Sequence, residues 1–195
     1  MKKILVLLLV VLCFCSIANA TAIDDYKEGL IAAKDKNYTV AIYHYNKAIE
    51  QDEKYSEAYF EKAKAEMQLY KKSDAEATIN KYIALNPNVA KGYVTRAEIY
   101  SAQGLNDEAL KDLNKALTIN ANDYEIYNFR TKVNHKLKNK GSAYKDIESS
   151  LAIDSNRPET YKVRATMELS DKKLISAFLD YMYANKLTQV IEQNN

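Results

Sequence analysis

The stretch Asn88–Asn122 reads NVAKGYVTRAEIYSAQGLNDEALKDLNKALTINAN and predicts two short amphipathic helices joined by a tight turn. Tyr93 and Ala97 are spaced to line one face of the first helix. Gly104 is expected to end that helix, because glycine readily adopts the left-handed backbone conformation found at many helix C-termini. Asn106 is expected to cap the second helix. The apolar face of that helix is formed by Ala109, Leu113, Ala116 and Leu117.

The same pattern recurs at an interval of 34 residues along the chain. Alanine recurs at Ala41, Ala75, Ala109, Ala143 and Ala177. Tyrosine recurs in the same phase at Tyr59, Tyr93, Tyr127 and Tyr161, and mostly small residues recur at Gly29, Ala63, Ala97, Thr131 and Ala165. Because no insertion or deletion interrupts the interval, the sequence predicts a single repeated helical hairpin.

At these positions the chain resembles the tetratricopeptide-repeat (TPR) family, whose unit is a helix–turn–helix of about 34 residues. The resemblance implies an all-α fold, a right-handed α-solenoid of five consecutive 34-residue hairpins. The expected repeats are 22–55, 56–89, 90–123, 124–157 and 158–191, followed by a C-terminal tail at 192–195. Tyr82 departs from the family pattern, which has a small residue there, so we expect wider packing around the second repeat.

Residues 1–20 have the features of a secretory signal peptide. Lys2 and Lys3 precede an apolar run from Ile4 to Phe14, and Ala18 and Ala20 fit a small-x-small cleavage site. The uncharged run is shorter than the roughly 20 residues that span a bilayer. We therefore expect cleavage, with retention as an anchor left open. The expected location is a bacterial periplasm or outside the cell, without stable membrane insertion after cleavage.

Composition argues against a general electrostatic partner. The chain has 28 Lys and Arg against 26 Asp and Glu, and loss of Lys2 and Lys3 leaves 26 of each. A chain without net charge has no overall attraction to nucleic acid, so we expect no nucleic-acid partner. Both cysteines, Cys13 and Cys15, fall in the signal segment, so no disulfide framework is expected.

The sequence offers little chemistry for catalysis. His44 and His135 lie in different repeats, and no cysteine remains to join them at a metal. No glycine-rich phosphate loop or nucleophile motif is present. We therefore expect no enzyme activity, no metal and no cofactor.

Binding is the activity that stacked hairpins favour, because they twist into a superhelix with a concave inner surface. The predicted groove residues lie on the first helix of each hairpin, opposite its tyrosine: Phe60, Lys64, Met67, Lys91, Val94, Glu98, Asn128, Lys132, His135, Lys136, Lys162 and Thr166. The pattern suits a peptide with a hydrophobic anchor and an acidic end. The same side chains are equally compatible with a solvated face or with packing between repeats.

Some TPR domains clamp the C-terminal carboxylate of a chaperone with lysine, asparagine and arginine side chains. The corresponding positions here are Tyr26, Leu30, Glu61, Lys91 and Thr95, of which only Lys91 matches. The carboxylate-clamp function is therefore not carried over.

The last helix is expected from near Ile175 to about Ile191. Polar residues such as Asn185 and Lys186 are expected to solvate its outer face. The apolar residues that would seal the last layer or dock a partner are Leu187, Val190 and Ile191. Three functions remain open: an exported scaffold that binds a peptide or partner protein in the groove, an assembly factor of a cell-envelope complex acting through the terminal helix, or a non-catalytic partner of an enzyme. The oligomeric state is left open.

Overall fold

A computed structural model describes residues 22–193. This part of the chain consists of ten α-helices and contains no β-strand. The helices are α1 at 22–34, α2 Tyr38–Gln51, α3 Ser56–Gln68, α4 Lys72–Leu85, α5 Ala90–Gln103, α6 Asn106–Ile119, α7 Tyr124–Lys136, α8 Lys140–Ile153, α9 Pro158–Ser170 and α10 Leu174–Gln193. The predicted signal peptide lies outside the described residues. The first two residues of the predicted tail belong to α10.

Corresponding helices begin 34 residues apart throughout the described chain. From α2 onward, the even-numbered helices begin at residues 38, 72, 106, 140 and 174, and the odd-numbered helices begin at residues 56, 90, 124 and 158. The predicted all-α helical-repeat fold is therefore confirmed.

The chain forms two compact units, and the boundary between them falls inside α5, after Ile99. In the upstream unit, α2 packs against α3, and α3 packs against α4. In the downstream unit, α7 packs against α6, α8 and α9, and α10 packs against α9. Each unit is thus built from neighbouring helices along the sequence.

The turn inside each hairpin contains one residue in the left-handed region. These residues are Lys36, Tyr70, Gly104, Lys138 and Lys172, with φ between 59° and 85°. The prediction that Gly104 ends its helix in this conformation is confirmed. The other four positions hold residues with a Cβ, for which this conformation costs about 1–2 kcal/mol.

We expect Lys138→Gly to stabilise the protein by about 0.5–1 kcal/mol, because relief of the left-handed strain outweighs the greater chain entropy of glycine. Chemical denaturation of the full chain measures the difference. Lys145→Gly, inside α8, is the matched control and should instead destabilise by about 1 kcal/mol. A loss of stability in Lys138→Gly would contradict the strain argument.

The predicted cap at Asn106 is wrong. Asn106 is the first residue of α6, and the N-cap is Leu105, which makes no side-chain cap hydrogen bond. With Gly104 in the left-handed conformation, the chain reverses direction within so few residues that α6 begins one residue before the position that the residue types indicate. Side-chain caps do occur at Asn37, which accepts from Val40 N, and at Asp123.

The recurring alanines form the centre of the hairpins. Ala41, Ala75, Ala109, Ala143 and Ala177 are all at most 2% exposed. A bulky residue four positions later in each even-numbered helix is also buried in the first four hairpins, at Tyr45, Ile79, Leu113 and Ile147. The fifth member of that column, Tyr181, is 55% exposed.

Two glycines accommodate two buried tyrosine rings in the upstream unit. A Cβ added to Gly29 would lie 2.4 Å from Cε1 of Tyr45, and one added to Gly92 would lie 2.9 Å from the Tyr82 ring. The Tyr82 ring, at a repeat position where the family has a small residue, therefore occupies space that is free because Gly92 on α5 has no side chain.

Buried ion pairs join the two helices of each of the last two hairpins. Arg130 Nη2 on α7 lies 2.6 Å from Oδ1 of the buried Asp146 on α8. Arg164 on α9 binds Asp180 on α10 through two hydrogen bonds of 2.6 Å. These pairs were not predicted, although arginine and aspartate both recur with the 34-residue interval.

Glu66 on α3 is buried, and its Oε2 atom has no hydrogen-bond partner. Burial raises the pKa of Glu66, although the Thr78 hydroxyl and the Lys62 ammonium group oppose the rise. The folded state therefore holds a proton at a pH where the unfolded state has lost it. Hence the free energy of unfolding falls as pH rises from 4.5 through the folded pKa.

We expect Glu66→Gln to remove this pH dependence and to raise stability at pH 7 by about 1 kcal/mol, because no charge is then buried. Urea denaturation of both proteins between pH 4 and pH 8 gives the difference as a function of pH. A constant difference across that range would contradict the assignment to Glu66.

Candidate functional site

The predicted groove residues fall into two groups, one in each compact unit. The upstream surface, on α3 and α5, consists of Phe60, Lys64, Met67, Lys91, Val94 and Glu98. The downstream surface, on α7 and α9, consists of Asn128, Lys132, His135, Lys136, Lys162 and Thr166. Every member lies on the first helix of a hairpin, and each group is described separately.

The apolar part of the upstream surface is also part of the core. The Phe60 ring centroid lies 5.1 Å from that of Tyr82, which is buried. Phe60 and Met67 are partly buried and pack against a cluster that includes Ile79 and Ile99. Phe60 and Met67 therefore pack against the core and also leave part of their side chains at the surface. Val94, on α5, is half-buried.

Two ammonium groups lie over the Phe60 ring. Lys91 Nζ is 4.6 Å from the ring centroid, and Lys64 Nζ is 5.4 Å from it. Lys64 also donates to both carboxylate oxygens of Glu61, at 2.9 and 3.1 Å. Cation–π attraction of this kind contributes about 0.5–1 kcal/mol at an exposed site. The upstream surface thus presents an aromatic ring with two ammonium groups over it.

Glu98 adds a carboxyl group to the same surface. Desolvation by the surrounding protein raises the pKa of Glu98, while the Lys64 ammonium group lowers it. The residue nevertheless keeps an exposed side. Glu98 is therefore an accessible acceptor in partly dehydrated surroundings, where a hydrogen bond to a ligand is stronger than in water.

On the downstream surface, Asn128 is buried between helices. Its Nδ2 atom donates to Thr160 Oγ1 at 2.9 Å, and Thr160 Oγ1 lies 2.9 Å from Ser150 Oγ. All three side chains are buried. Asn128 therefore joins α7 to α9, because its position faces the next first helix instead of solvent.

The remaining downstream residues form a mainly basic surface. Lys132, Lys136, Lys162 and Thr166 are exposed. Lys136 Nζ donates to Ser101 Oγ at 2.8 Å, while His135 Nε2 lies 2.7 Å from Ser170 Oγ.

Ser170 was absent from the predicted set. Both of these contacts join residues 35 positions apart, one more than the repeat interval. A comparison of residues 35 positions apart would therefore have identified Ser170 as the partner of His135.

Within residues 22–193, no group of three or more His, Cys, Asp or Glu side chains is placed to hold a metal ion. The helices of the same region include none that is long and apolar enough to cross a membrane. Apart from the buried Asn128, the side chains described above are exposed or partly exposed on helices, where they can contribute charge, hydrogen bonds and aromatic contacts to a ligand.

Residues 90–123 match the family model described as Tetratricopeptide repeat. The matched segment contains α5 and α6, the hairpin whose sequence predicted the fold. No curated protein matches the sequence.

Solved structures extend the likeness over most of the chain. MamA is 16% identical, with a TM-score of 0.71 over 85% of this chain and 96% of that one. TTC0263, a thermophilic TPR protein from Thermus thermophilus, is 21% identical, with a TM-score of 0.72 over 85% of this chain and 91% of that one. The chain has the helical-repeat fold of TPR proteins.

A third similar structure contains a ligand. The first TPR domain of Spaghetti (RPAP3), bound to the HSP90 peptide SRMEEVD, is 28% identical to this TPR-fold chain. The TM-score is 0.59, and the match covers 62% of this chain and 95% of that one.

Proposed function

We propose that this chain is a non-catalytic protein–protein interaction scaffold that binds a peptide or partner protein on its first helices, in the groove that the family resemblance implies. The observation that carries the proposal is the downstream surface, where exposed Lys132, Lys136 and Lys162 stand on α7 and α9. The peptide-bound TPR structure of Spaghetti supports it, because its HSP90 peptide SRMEEVD is rich in acidic residues.

The ligand class follows from the chemistry of the two surfaces. Ammonium groups on neighbouring helices attract carboxylates of an acidic segment. The upstream surface instead suits an apolar or aromatic side chain, since the Phe60 ring and Val94 are partly exposed there. We propose each surface as a site in its own right, and expect the downstream surface to supply the larger electrostatic contribution.

Affinity capture tests the downstream site. The full chain, immobilised, is used to capture proteins from a native cell extract, in parallel with Lys132→Glu/Lys162→Glu. The matched control is Lys111→Glu/Lys145→Glu, which changes the same charge on exposed residues of α6 and α8. We expect the first variant to lose the bound proteins and the control to retain them. Equal capture by all three would refute the downstream site.

We also propose that the protein is exported, to a bacterial periplasm or out of the cell, with residues 1–20 removed. The support is the order of basic, apolar and small residues in that segment. Mass spectrometry of the protein from its native source tests this proposal. A mature chain beginning at Thr21 would support cleavage, whereas a chain that keeps residues 1–20 would contradict it.

A second candidate function acts through α10, either as an assembly factor of an envelope complex or as a non-catalytic partner of an enzyme. The observation that favours it is the exposure of Phe178 and Leu179 on α10. Photo-crosslinkers at position 132 and at position 179 separate the candidates. A partner crosslinked only from position 132 supports the first-helix surfaces, and one crosslinked only from position 179 supports α10.

A further inference from the structure

The last helix, α10, exposes an apolar face that the inner hairpins do not have. The exposed side chains on this α10 face are Leu174, Ile175, Phe178, Leu179, Tyr181 and Met182. At 3.6 residues per turn they occupy nearly half of the helix circumference. The opposite side packs against α9 through Ala177, Asp180 and Ala184, which are buried. The expected polar outer face begins only after these residues, at Asn185 and Lys186.

The repeat register shows that this exposure has two origins. Tyr181 occupies the column whose earlier members, such as Ile147, are fully buried. Its exposure follows from its place in the last hairpin. Ile175, Leu179 and Met182 are different, because their equivalents in α8 are Gly141, Lys145 and Glu148, all exposed.

Three positions on the outer side of α10 are therefore apolar, whereas the equivalent positions of the preceding hairpin hold glycine or a charged residue. An unfinished stack would uncover the columns of Tyr181 and Phe178, whose equivalents in α8 are the buried Ile147 and the half-buried Tyr144. The additional apolar columns indicate that α10 is covered on its outer side as well, since a helix that is apolar nearly all round is a buried helix.

The area of the α10 face fits a protein–protein interface. Ile175 is 80% exposed, and the other five residues are each more than half exposed. Six such side chains present about 600 Å² of apolar surface, at the upper end of the 300–600 Å² typical of the largest patch on a monomer. A stable interface buries about 800 Å² on each partner. The α10 face lies near the lower end of the range for stable interfaces, which is about 600 Å² on each partner.

The charge distribution points to a second copy of this chain as the partner. Between Leu174 and Asn185 the only charged residue is Asp180, which is buried and bound to Arg164. A face with a net charge of one sign would repel its own copy. Residues 174–185 add no exposed charge to the α10 face, which is bordered by the exposed Lys186. Pairing of identical faces about a two-fold axis also closes on itself and leaves no surface for further growth.

We propose that the protein is a homodimer in which the α10 faces of two copies pack together. The first-helix surfaces are not needed for this association, so the dimer proposal is independent of the sites on the first helices. It competes with the second candidate function, because the dimer would bury Phe178 and Leu179.

Molar mass by light scattering tests the dimer. We expect the full chain to have the mass of a dimer and Leu179→Lys to have half of it. Tyr43→Lys is the matched control, because Tyr43 occupies the same register position on α2 as Leu179 on α10 and is also exposed. We expect this control to remain dimeric. A monomeric wild-type chain, or a dimer that persists in Leu179→Lys, would overturn the proposal.

A cysteine variant keeps the test valid if Leu179→Lys fails to fold. In a chain with Cys13→Ser and Cys15→Ser, we expect Leu179→Cys to form a covalent dimer under mild oxidation and Tyr43→Cys to stay monomeric. Equal crosslinking of the two variants, or crosslinking of Leu179→Cys to another protein only, would overturn the proposal. Loss of capture by Lys132→Glu/Lys162→Glu without a change in mass would separate the two sites.

Discussion

Replacing Arg130 by alanine is expected to lower the free energy of unfolding by about 3–5 kcal/mol, because it leaves the buried Asp146 carboxylate without its cation. Asp146 is only 3% exposed, and three hydrogen bonds from Arg130 reach its two oxygens. The Asn134 amide donates a further bond at 2.9 Å. One neutral amide does not compensate a buried negative charge.

Chemical denaturation of the full chain measures the loss. Lys111→Ala is the control, since the Lys111–Glu108 pair is exposed and should contribute less than about 1 kcal/mol. In the double variant Arg130→Met/Asp146→Leu, removal of both charges should recover most of the stability. If Arg130→Ala behaves like Lys111→Ala, the ion pair does not hold α7 and α8 together as argued.

Replacing Gly29 by alanine is expected to destabilise the protein by about 1–3 kcal/mol through overpacking. The new Cβ would lie 2.4 Å from Cε1 of Tyr45, and Tyr45 is completely buried, so its ring has no free space to enter. Alanine also favours a helix over glycine by about 1 kcal/mol, which offsets part of the loss. Gly141→Ala is the control, because nothing lies near its Cβ and only the helix preference should remain.

The repeat columns suggest how to rescue Gly29→Ala. The equivalent pairs in the next two hairpins are Ala63 with Ile79 and Ala97 with Leu113, each a small residue with an aliphatic one. We therefore expect Gly29→Ala/Tyr45→Ile to be more stable than the sum of the two single changes. Denaturation of the three variants gives the coupling energy between the two positions. A coupling energy of zero would show that Gly29 is not needed to accommodate the Tyr45 ring.

The fold could be predicted because its periodicity is carried by residue type. Alanine at Ala75, Ala109 and Ala143 marks where helices approach closely, and an unbroken interval fixes the position of every hairpin. The N-cap at Leu105, in place of Asn106, could not be predicted from residue type, since it depends on the backbone path after Gly104. Residue type indicates a turn better than it indicates the first residue of a helix.

The candidate site was predicted less completely, because a polar residue does not reveal its own burial. Lys132 and Lys162 are exposed as expected. Asn128 is buried in a hydrogen-bonded chain with Thr160 and Ser150. The sequence offered one usable signal, that Asn128 and Thr160 stand nearly one repeat apart, which places them on adjacent first helices.

The outer face of α10 was expected to be polar, and its first half is apolar instead. That expectation came from residues near the C-terminus of the helix, such as Asn185 and Lys186. Comparison of Leu179 and Met182 with their equivalents Lys145 and Glu148 would have revealed the difference from the sequence. A repeat position that is solvated in one hairpin need not be solvated in the next.

The identical spacing of the helix starts from α2 to α10 has a consequence for how such a gene can change length. Duplication or loss of any internal block of 34 codons would join a hairpin end to a hairpin start without altering a turn. Length variants of this chain should therefore differ from it by whole hairpins.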